Sequence, residues 1–514
     1  MTKKALSVLT AFLKNMDLKT YFLIGIILIG AYLRLANFPN RYSLGEETVR
    51  DAVFGIESAR ELQLPLTGSF SSLGPFTFGP LYAYQVAFAT LLLKTLYAPW
   101  IYLSFISIVY ILILYNIGKL MYGRSFGLLL SLFAALSPAQ IISATHLTSH
   151  NTTNIFAALA IYISLRLLSK DISHKWGFLL GIVLGTGMNL HYQMTGLFVL
   201  PLLVSLYKRT YKHIFLTILG IFITFIPLLF FELNNHWFNL RNMTYYFMYG
   251  KNAIYVPNRW LFYVRDFWPA FWSDALGVPV FVAVVVIMLF IISVFWQIRT
   301  KKLPIPIFFL IIAFLCNFIL LRYYWGPRFF GYLNFLRPFV FIFTCFGIFQ
   351  LSQTKYGKFV AGLSVIIIVI FAFPRIQQQL NPDPFSMQMY KEIRVIEKKY
   401  PTKKFALYGC NNYYRGSYNS KTFTAVFILE LDNKADKNGY KIGLQSIDCG
   451  YPTISLRQTI NKESADSTYS QMNAIGIVDF SKVSESALLK AGWRQVSFKS
   501  IYELNARWWF KEQP

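Results

Sequence analysis

Long uncharged apolar blocks alternate with short basic gaps through the first 375 residues. That alternation predicts a bundle of membrane-crossing helices. Tyr21–Ala36, Ile214–Phe231, Val278–Phe295 and Phe359–Phe373 each approach the roughly 20 apolar residues that a helix needs to cross a bilayer. Lysines and arginines collect in the gaps Lys119–Arg124, Arg166–Lys175, Lys208–Lys212, Arg299–Lys302 and Lys355–Lys358. Basic loops stay on the cytoplasmic side, so these gaps are placed inside. Lys3, Lys4, Lys14 and Lys19 place the N-terminus, residues 1–19, inside as well. No small-residue cleavage site accompanies the first block, which reads as a retained anchor. The far-side turns then fall near Ser143–Asn151, His191, Glu232–Asp274 and Arg322–Arg337.

Pro80–Leu93 is apolar enough to cross, but a crossing there would turn every later basic gap outward. It is read instead as an interfacial helix within a long outer loop, residues 39–98. Residues 20–374 then hold about eleven spans. From residue 375 to 514 the chain is polar, and its short apolar runs Phe405–Tyr408, Tyr440–Leu444 and Ala474–Val478 read as strands. Ser481–Ala491 reads as a helix, with Ser481 as N-cap and Gly492 as its stop. The expected fold is a polytopic α-helical membrane protein with a soluble, extracytoplasmic C-terminal α/β domain.

Composition agrees with this reading. Of 514 residues, 55% are hydrophobic and only 14% charged, against about a quarter charged in soluble domains. A net charge of +26 would point a soluble protein towards nucleic acid. Here the basic residues sit between apolar blocks, where they contact anionic lipid, and no nucleic-acid partner is expected. Of four cysteines, Cys316 and Cys345 lie in apolar blocks and read as packing residues. Cys410 and Cys449 could pair if the tail faces an oxidising compartment. No Cys/His metal spacing is present.

Acidic residues are scarce before residue 375, yet Glu46, Glu47, Asp51 and Glu57 follow the first span closely, with Arg50 among them. On a helix, Glu47 and Asp51 share a face. Carboxylates at a membrane boundary can act as a general base, bind a metal or hold a cation, or simply solvate an amphipathic helix. Gly74-Pro-Phe-Thr-Phe-Gly-Pro-Leu-Tyr-Ala-Tyr84 contains two Gly-Pro turns, with Tyr82 and Tyr84 as aromatics for a sugar surface or an interfacial belt. His146, His150 and Asn151 fall at one outer turn, where hydrogen bonding is favoured over metal binding. His191 and Gln193 fall at another, capping a helical hairpin or reaching the same cavity. Arg322, Arg328 and Arg337, with Tyr332 between them, face outward against the positive-inside trend. They suit bidentate phosphate binding or snorkelling to headgroups.

The order of these parts resembles the GT-C membrane glycosyltransferases, and within them the protein O-mannosyltransferase and aminoarabinose-transferase group, over residues 20–375. Glu46-Glu47 stands where that group carries an acidic pair, and Glu47-Thr-Val-Arg-Asp-Ala52 resembles its longer Asp-x-x-Arg-Asp-Ala pattern. Gly79-Pro-Leu-Tyr-Ala-Tyr84 resembles its Pro-Pro-Leu-Tyr-Tyr element, and His150-Asn151 stands near its second-loop acid. The resemblance implies a polyprenyl-phosphate-linked sugar donor and transfer, with inversion, to an acceptor hydroxyl of a protein, lipid or glycan on the outer face of the plasma membrane. It implies Glu47, with Asp51 and Glu46, as the catalytic acids. Arg328, Arg337 and Arg322 become the phosphate ligands, and Tyr82, Tyr84, His150, Asn151, His191, Gln193 and Tyr332 line the substrate. A divalent metal (Mg, Mn or Zn) stays open, because relatives differ. A transporter or flippase would place ionisable groups near the midplane and often shows repeats. Here the polar groups sit at outer turns and no repeat is visible, which favours the enzyme over that alternative.

Overall fold

The structure, a computed structural model, describes residues 17–71, 76–169, 173–249, 260–324, 328–410, 420–445, 476–490 and 493–507. Lys3, Lys4, Lys14, Gly74, Pro75, Cys449 and Gly492 lie outside that set.

Helix α1 (Leu18–Leu35) is capped by Asp17, whose side chain accepts from the Thr20 amide at 3.2 Å. The loop after it holds α2 (Glu46–Arg60) and α3 (Leu81–Leu93). Then come α4 (Ala98–Tyr122), α5 (Arg124–Leu136), the short α6 (Pro138–Ser143), α7 (Thr153–Leu167), α8 (Lys175–Leu190), α9 (Val199–Lys208) and α10 (Lys212–Asn234). After α11 (Phe238–Tyr249), a π turn at Tyr263–Phe267 leads into α12 (Trp268–Leu276). The helical part closes with α13 (Val280–Arg299), α14 (Ile305–Arg322), α15 (Arg337–Ser352) and α16 (Gly357–Gln379).

Seven helical runs among the described residues are long and apolar enough to cross a bilayer: α1, α4, α10, α13, α14, Phe330–Ser352 with α15, and the run beginning with α16. Shorter helices lie between these runs, among them α5, α7, α8 and α9. At 13 residues, α3 is shorter than a crossing helix, and Phe88, Leu91 and Leu92 along it are exposed. Burial separates inner helices from outer ones. The crossing window of Phe330–Ser352 is 78% buried within the protein, whereas that of α13 is 22% buried. Phe281, Val285, Ile292 and Phe295 of α13 therefore form an apolar outer face suited to lipid. Close backbone approach joins α8 to α10. A Cβ on Gly181 would lie 2.1 Å from the Thr217 carbonyl oxygen, so only glycine permits this crossing.

The C-terminal part contains α17 (Pro384–Lys399), β1 (Phe405–Cys410), α18 (Ser420–Leu431), β2 (Tyr440–Gln445), β3 (Gly476–Asp479), α19 (Glu485–Lys490), β4 (Trp493–Val496) and α20 (Phe498–Arg507). Its sheet runs β3-β2-β1-β4. The central pair β1–β2 is parallel, with Phe405 opposite Tyr440, and both edge strands are antiparallel. The first two expected strands coincide with β1 and β2, and β3 overlaps the third. The expected helix over Ser481–Ala491 begins later, at Glu485. Ser484 rather than Ser481 takes the capping position, accepting from the Ala487 amide at 3.3 Å. One apolar core fills the bundle. A second is shared: Val49, Val53 and Ile56 of α2 pack in the same cluster as Met389, Phe427 and Ile501.

Candidate active site

The site grows from the first turn of α2. Gly45 is the N-cap, in extended backbone, and provides no side-chain cap. Thr48 ties the turn down instead, its hydroxyl lying 2.7 Å from the Gly45 carbonyl and 2.9 Å from that of Ser43. Glu46 and Glu47 occupy the turn where a helix dipole favours negative charge. Their fates differ. Glu46 is half-buried, whereas Glu47 is exposed and makes no hydrogen bond or ion pair among the described residues.

One turn on, Asp51 is 3% exposed and thoroughly engaged. Its Oδ1 accepts from Ser69 Oγ at 2.6 Å and from Arg50 Nε and Nη2, each at 3.0 Å. Burial works against the charge on Arg50, but Asp51 and then Glu47 outweigh it and raise its pKa. Asp51 thus fixes Arg50 and the loop 68–71, leaving Glu47 as the carboxylate of that face that makes no hydrogen bond or ion pair among the described residues.

That loop returns as 76–79 in a narrow ladder. Gly68 N donates to Phe78 O at 2.9 Å and Phe78 N to Ser69 O at 3.0 Å. Gly79 N reaches the Asn189 carbonyl at the end of α8 at 3.1 Å. A Cβ on Gly79 would fall 1.7 Å from Asn189 Oδ1, so glycine is required where this loop docks on the bundle. Docking brings Phe78 onto His191, with ring centroids 5.4 Å apart. His191 and His150 both pack on Tyr332, at 5.0 and 5.1 Å. The hydroxyl of Thr148 lies 3.1 Å from His150 Nε2.

Two cavities meet here. A tight one of about 40 Å³ is lined by Glu47, Arg50, Asp51, His150, His191 and Tyr332. A broad open cleft of about 500 Å³ is lined by Glu46, Glu47, His146, Asn151, Asp274 and Arg337. Glu47, Thr148 and His150 belong to both, so Glu47 stands on their common rim. The tight cavity has room for a water or two, whereas the cleft can take a sugar ring. Behind them, Tyr82 and Asn189 line a void beside Asp51, and the Tyr82 hydroxyl and Asn189 Oδ1 are buried with no hydrogen-bond partner among the described residues.

The other expected residues divide. Arg337 starts α15 at the cleft, 4% exposed, donating to Asp274 Oδ2 at 2.9 Å, Ala139 O at 2.9 Å and Ser143 Oγ at 3.1 Å. Its Nε is buried with no hydrogen-bond partner among the described residues. Asn151 also borders the cleft, held by His146 O at 2.7 Å and by Asn334 Nδ2 at 2.7 Å. Arg328 instead donates to the carbonyls of Leu321, Arg322 and Tyr324 at 2.9, 3.0 and 3.2 Å, closing the end of α14. Arg322 lies 5.1 Å from the Trp260 ring centroid. Neither arginine lines these cavities. Tyr84 donates to Pro65 O at 2.7 Å and braces its loop. Gln193 lies outside the two linings as well. Phe78 belongs to the aromatic Gly74–Tyr84 motif read above, whereas nothing local in the sequence marks Ser69, Thr148, Asp274 or Asn189. Only the Gly-Pro turn at Gly79 hinted at the contact that gathers them.

Burial lowers the pKa of His150 to about 3 and that of His191 to about 4. For His150, the neighbouring His191 and Arg337 act in the same direction. An unfolded histidine titrates near ~6.5. Below that pH the unfolded chain binds the extra protons, so stability present above ~6.5 is lost as pH falls towards the folded values. The thermal midpoint should therefore be flat from pH 8 to 7 and decline below about 6.5. The decline should be shallower in His150→Gln. Equal slopes for both proteins would refute the assignment.

Comparison with known proteins bears on the fold. The family described as dolichyl-phosphate-mannose-protein mannosyltransferase matches residues 77–231. No curated protein matches the chain. The apo structure of ArnT from Cupriavidus metallidurans aligns with 89% of this chain and 97% of its own, at 11% identity and a TM-score of 0.58. The ArnT structure bound to undecaprenyl phosphate gives 12% identity, the same coverage and 0.57. The oligosaccharyltransferase of Archaeoglobus fulgidus, in complex with Zn and sulfate, aligns at 12% identity and 0.46 over 74% of this chain. The present chain spans 55% of that protein's length. The ArnT likeness shows a shared GT-C fold.

Proposed function

We propose that this protein is a polyprenyl-phosphate-sugar-dependent glycosyltransferase acting at the outer face of the membrane. The observation that carries the reading is Glu47, an exposed carboxylate without a hydrogen bond or ion pair among the described residues, on the rim shared by two cavities. The mannosyltransferase match over residues 77–231 and the ArnT-like fold support it. The ArnT structure that holds undecaprenyl phosphate indicates the donor class. The basic gaps support about eleven crossings, with the cleft, the loop 39–98 and residues 375–514 outside a plasma membrane.

In this reading the donor's phosphate enters the cleft beside Arg337, and its sugar lies against the neutral His150. Glu47 takes the proton of an acceptor hydroxyl. The freed oxygen attacks the anomeric carbon as the bond from that carbon to the phosphate oxygen breaks. Polyprenyl phosphate leaves with the bonding electrons, and the anomeric configuration inverts. A positioned general base contributes about 10²- to 10⁴-fold, and Arg337 stabilises the charge that develops on the departing phosphate. Asp51, Arg50 and Ser69 hold the face of α2 that presents Glu47. Among the described residues no three metal-ligating side chains converge, so no step is routed through Mg, Mn or Zn.

The test is to supply the protein, in lipid, with polyprenyl-phosphate sugars and cell-envelope acceptors and to measure free polyprenyl phosphate. Sugar- and acceptor-dependent release is expected. Movement of labelled donor across the bilayer without release would establish the transporter instead.

A further inference from the structure

We infer that the C-terminal α/β region is a positioning element for Glu47, which fixes the start of α2 through hydroxyls on α17 and α18; this rests on Glu47 acting as the base. The contact begins at the end of α1 and follows the chain up to α2. Asn37 Nδ2 donates to Leu380 O at 3.3 Å, and Asp383 N donates to Asn40 O at 2.9 Å. Both backbone groups of Leu44, three residues before Glu47, are then claimed. Its N–H donates to Ser386 Oγ at 2.9 Å, and its carbonyl accepts from the Thr424 hydroxyl. Leu44, Ser386 and Thr424 are each no more than 1% exposed. Ser386 is itself locked by Asp383, whose Oδ2 lies 2.8 Å from the Ser386 amide and 2.6 Å from its hydroxyl.

Further along α2 the contacts continue through rings. Phe54 meets Tyr502 with centroids 5.3 Å apart, and the Arg60 guanidinium lies 5.2 Å from the centre of Phe498. The apolar contacts of Val49, Val53 and Ile56 with this region are not directional and tolerate sliding. The pair of hydrogen bonds on Leu44 does not. A helix turns by about 100° per residue, so a slip of one position at Leu44 would swing Glu47 away from the rim. Gly45 offers no side-chain cap of its own; Thr48 holds the turn from within and Trp100 holds Ser43 from the bundle, and the two outside hydroxyls add the hold on Leu44.

The experiment compares full-length wild type, Ser386→Ala/Thr424→Val and Ser386→Ala/Thr424→Ser in lipid, by amide hydrogen exchange and by transfer kinetics. In Ser386→Ala/Thr424→Val, exchange over residues 42–50 should accelerate roughly tenfold or more, with residues 339–346 unchanged. The kcat should fall by a comparable factor while the donor KM stays put. The variant carrying Thr424→Ser, which keeps the bond to the Leu44 carbonyl but not the one to its N–H, should recover part of both. Unchanged exchange over 42–50, or equal acceleration across the bundle, would overturn the inference. Accelerated exchange at 42–50 with unaltered kcat would overturn the link to Glu47 while leaving the transferase reading intact. If wild type shows no transfer at all, that reading fails, and the exchange data still decide whether these hydroxyls set the start of α2.

Discussion

Glu47→Gln should lower kcat by roughly 10²- to 10⁴-fold while the protein folds and binds donor normally. The size follows from what is removed. A glutamine is nearly isosteric but cannot accept the hydroxyl proton, so the transition state loses about 2.7 to 5.5 kcal/mol of stabilisation. The fold should not notice, because Glu47 is exposed and has no hydrogen-bond or ion-pair partner among the described residues. Substitutions at such positions usually stay within about 0.5 kcal/mol of stability. Single-turnover release of polyprenyl phosphate, with thermal melting as the control, measures both. Asp51→Asn is the informative comparison. It weakens the hold on Arg50 and Ser69 as well, so it should lower activity together with the thermal midpoint. Full activity in Glu47→Gln would remove the base from this mechanism.

The sequence reveals features that repeat or stand alone, and hides those that depend on distant pairing. Apolar blocks of bilayer length are self-announcing, and seven reappear as long helices. The i, i+4 spacing of Glu47 and Asp51 correctly puts them on one cavity lining. The same spacing does not say which is free, because Ser69 arrives from a loop 18 residues on. Tyr82 and Tyr84 look equivalent in the chain. On a helix, residues two apart point in nearly opposite directions, and only Tyr82 turns towards Asp51. Arg328 looks like a phosphate ligand by composition, yet helix α14 ends in carbonyls that need donors, and the nearest guanidinium supplies them. The wall of His150, His191 and Tyr332 comes from three separate turns, so no local pattern could display it. Helix α18 illustrates the converse problem. Its run Thr422–Leu429 is almost wholly buried, and a run without alternating exposure carries no period that separates helix from strand.

Arg337→Gln should raise the donor KM by roughly 10- to 100-fold, and Asp274→Asn should lower it. A hydrogen bond to a charged group is worth about 1.5–3 kcal/mol, and each 1.4 kcal/mol is about tenfold in affinity. Arg337 sits at the first turn of α15 and lines the cleft, so its charge favours an anion there. Its unpartnered Nε leaves donor capacity beyond the bonds to Ala139, Ser143 and Asp274. The Asp274 side chain is 36% exposed and already neutralises part of that charge. An incoming phosphate therefore competes with this carboxylate and is repelled by it. Asparagine keeps the shape and removes the repulsion, so the donor should bind more tightly and with a steeper dependence on salt. Glutamine at 337 leaves Asp274 partly exposed and able to take up water, so the fold should survive the change. Donor titrations at low and high salt on both variants decide the matter. If the two variants shifted KM in the same direction, Arg337 would be a structural anchor between α6 and α12, and the phosphate would have to be held elsewhere.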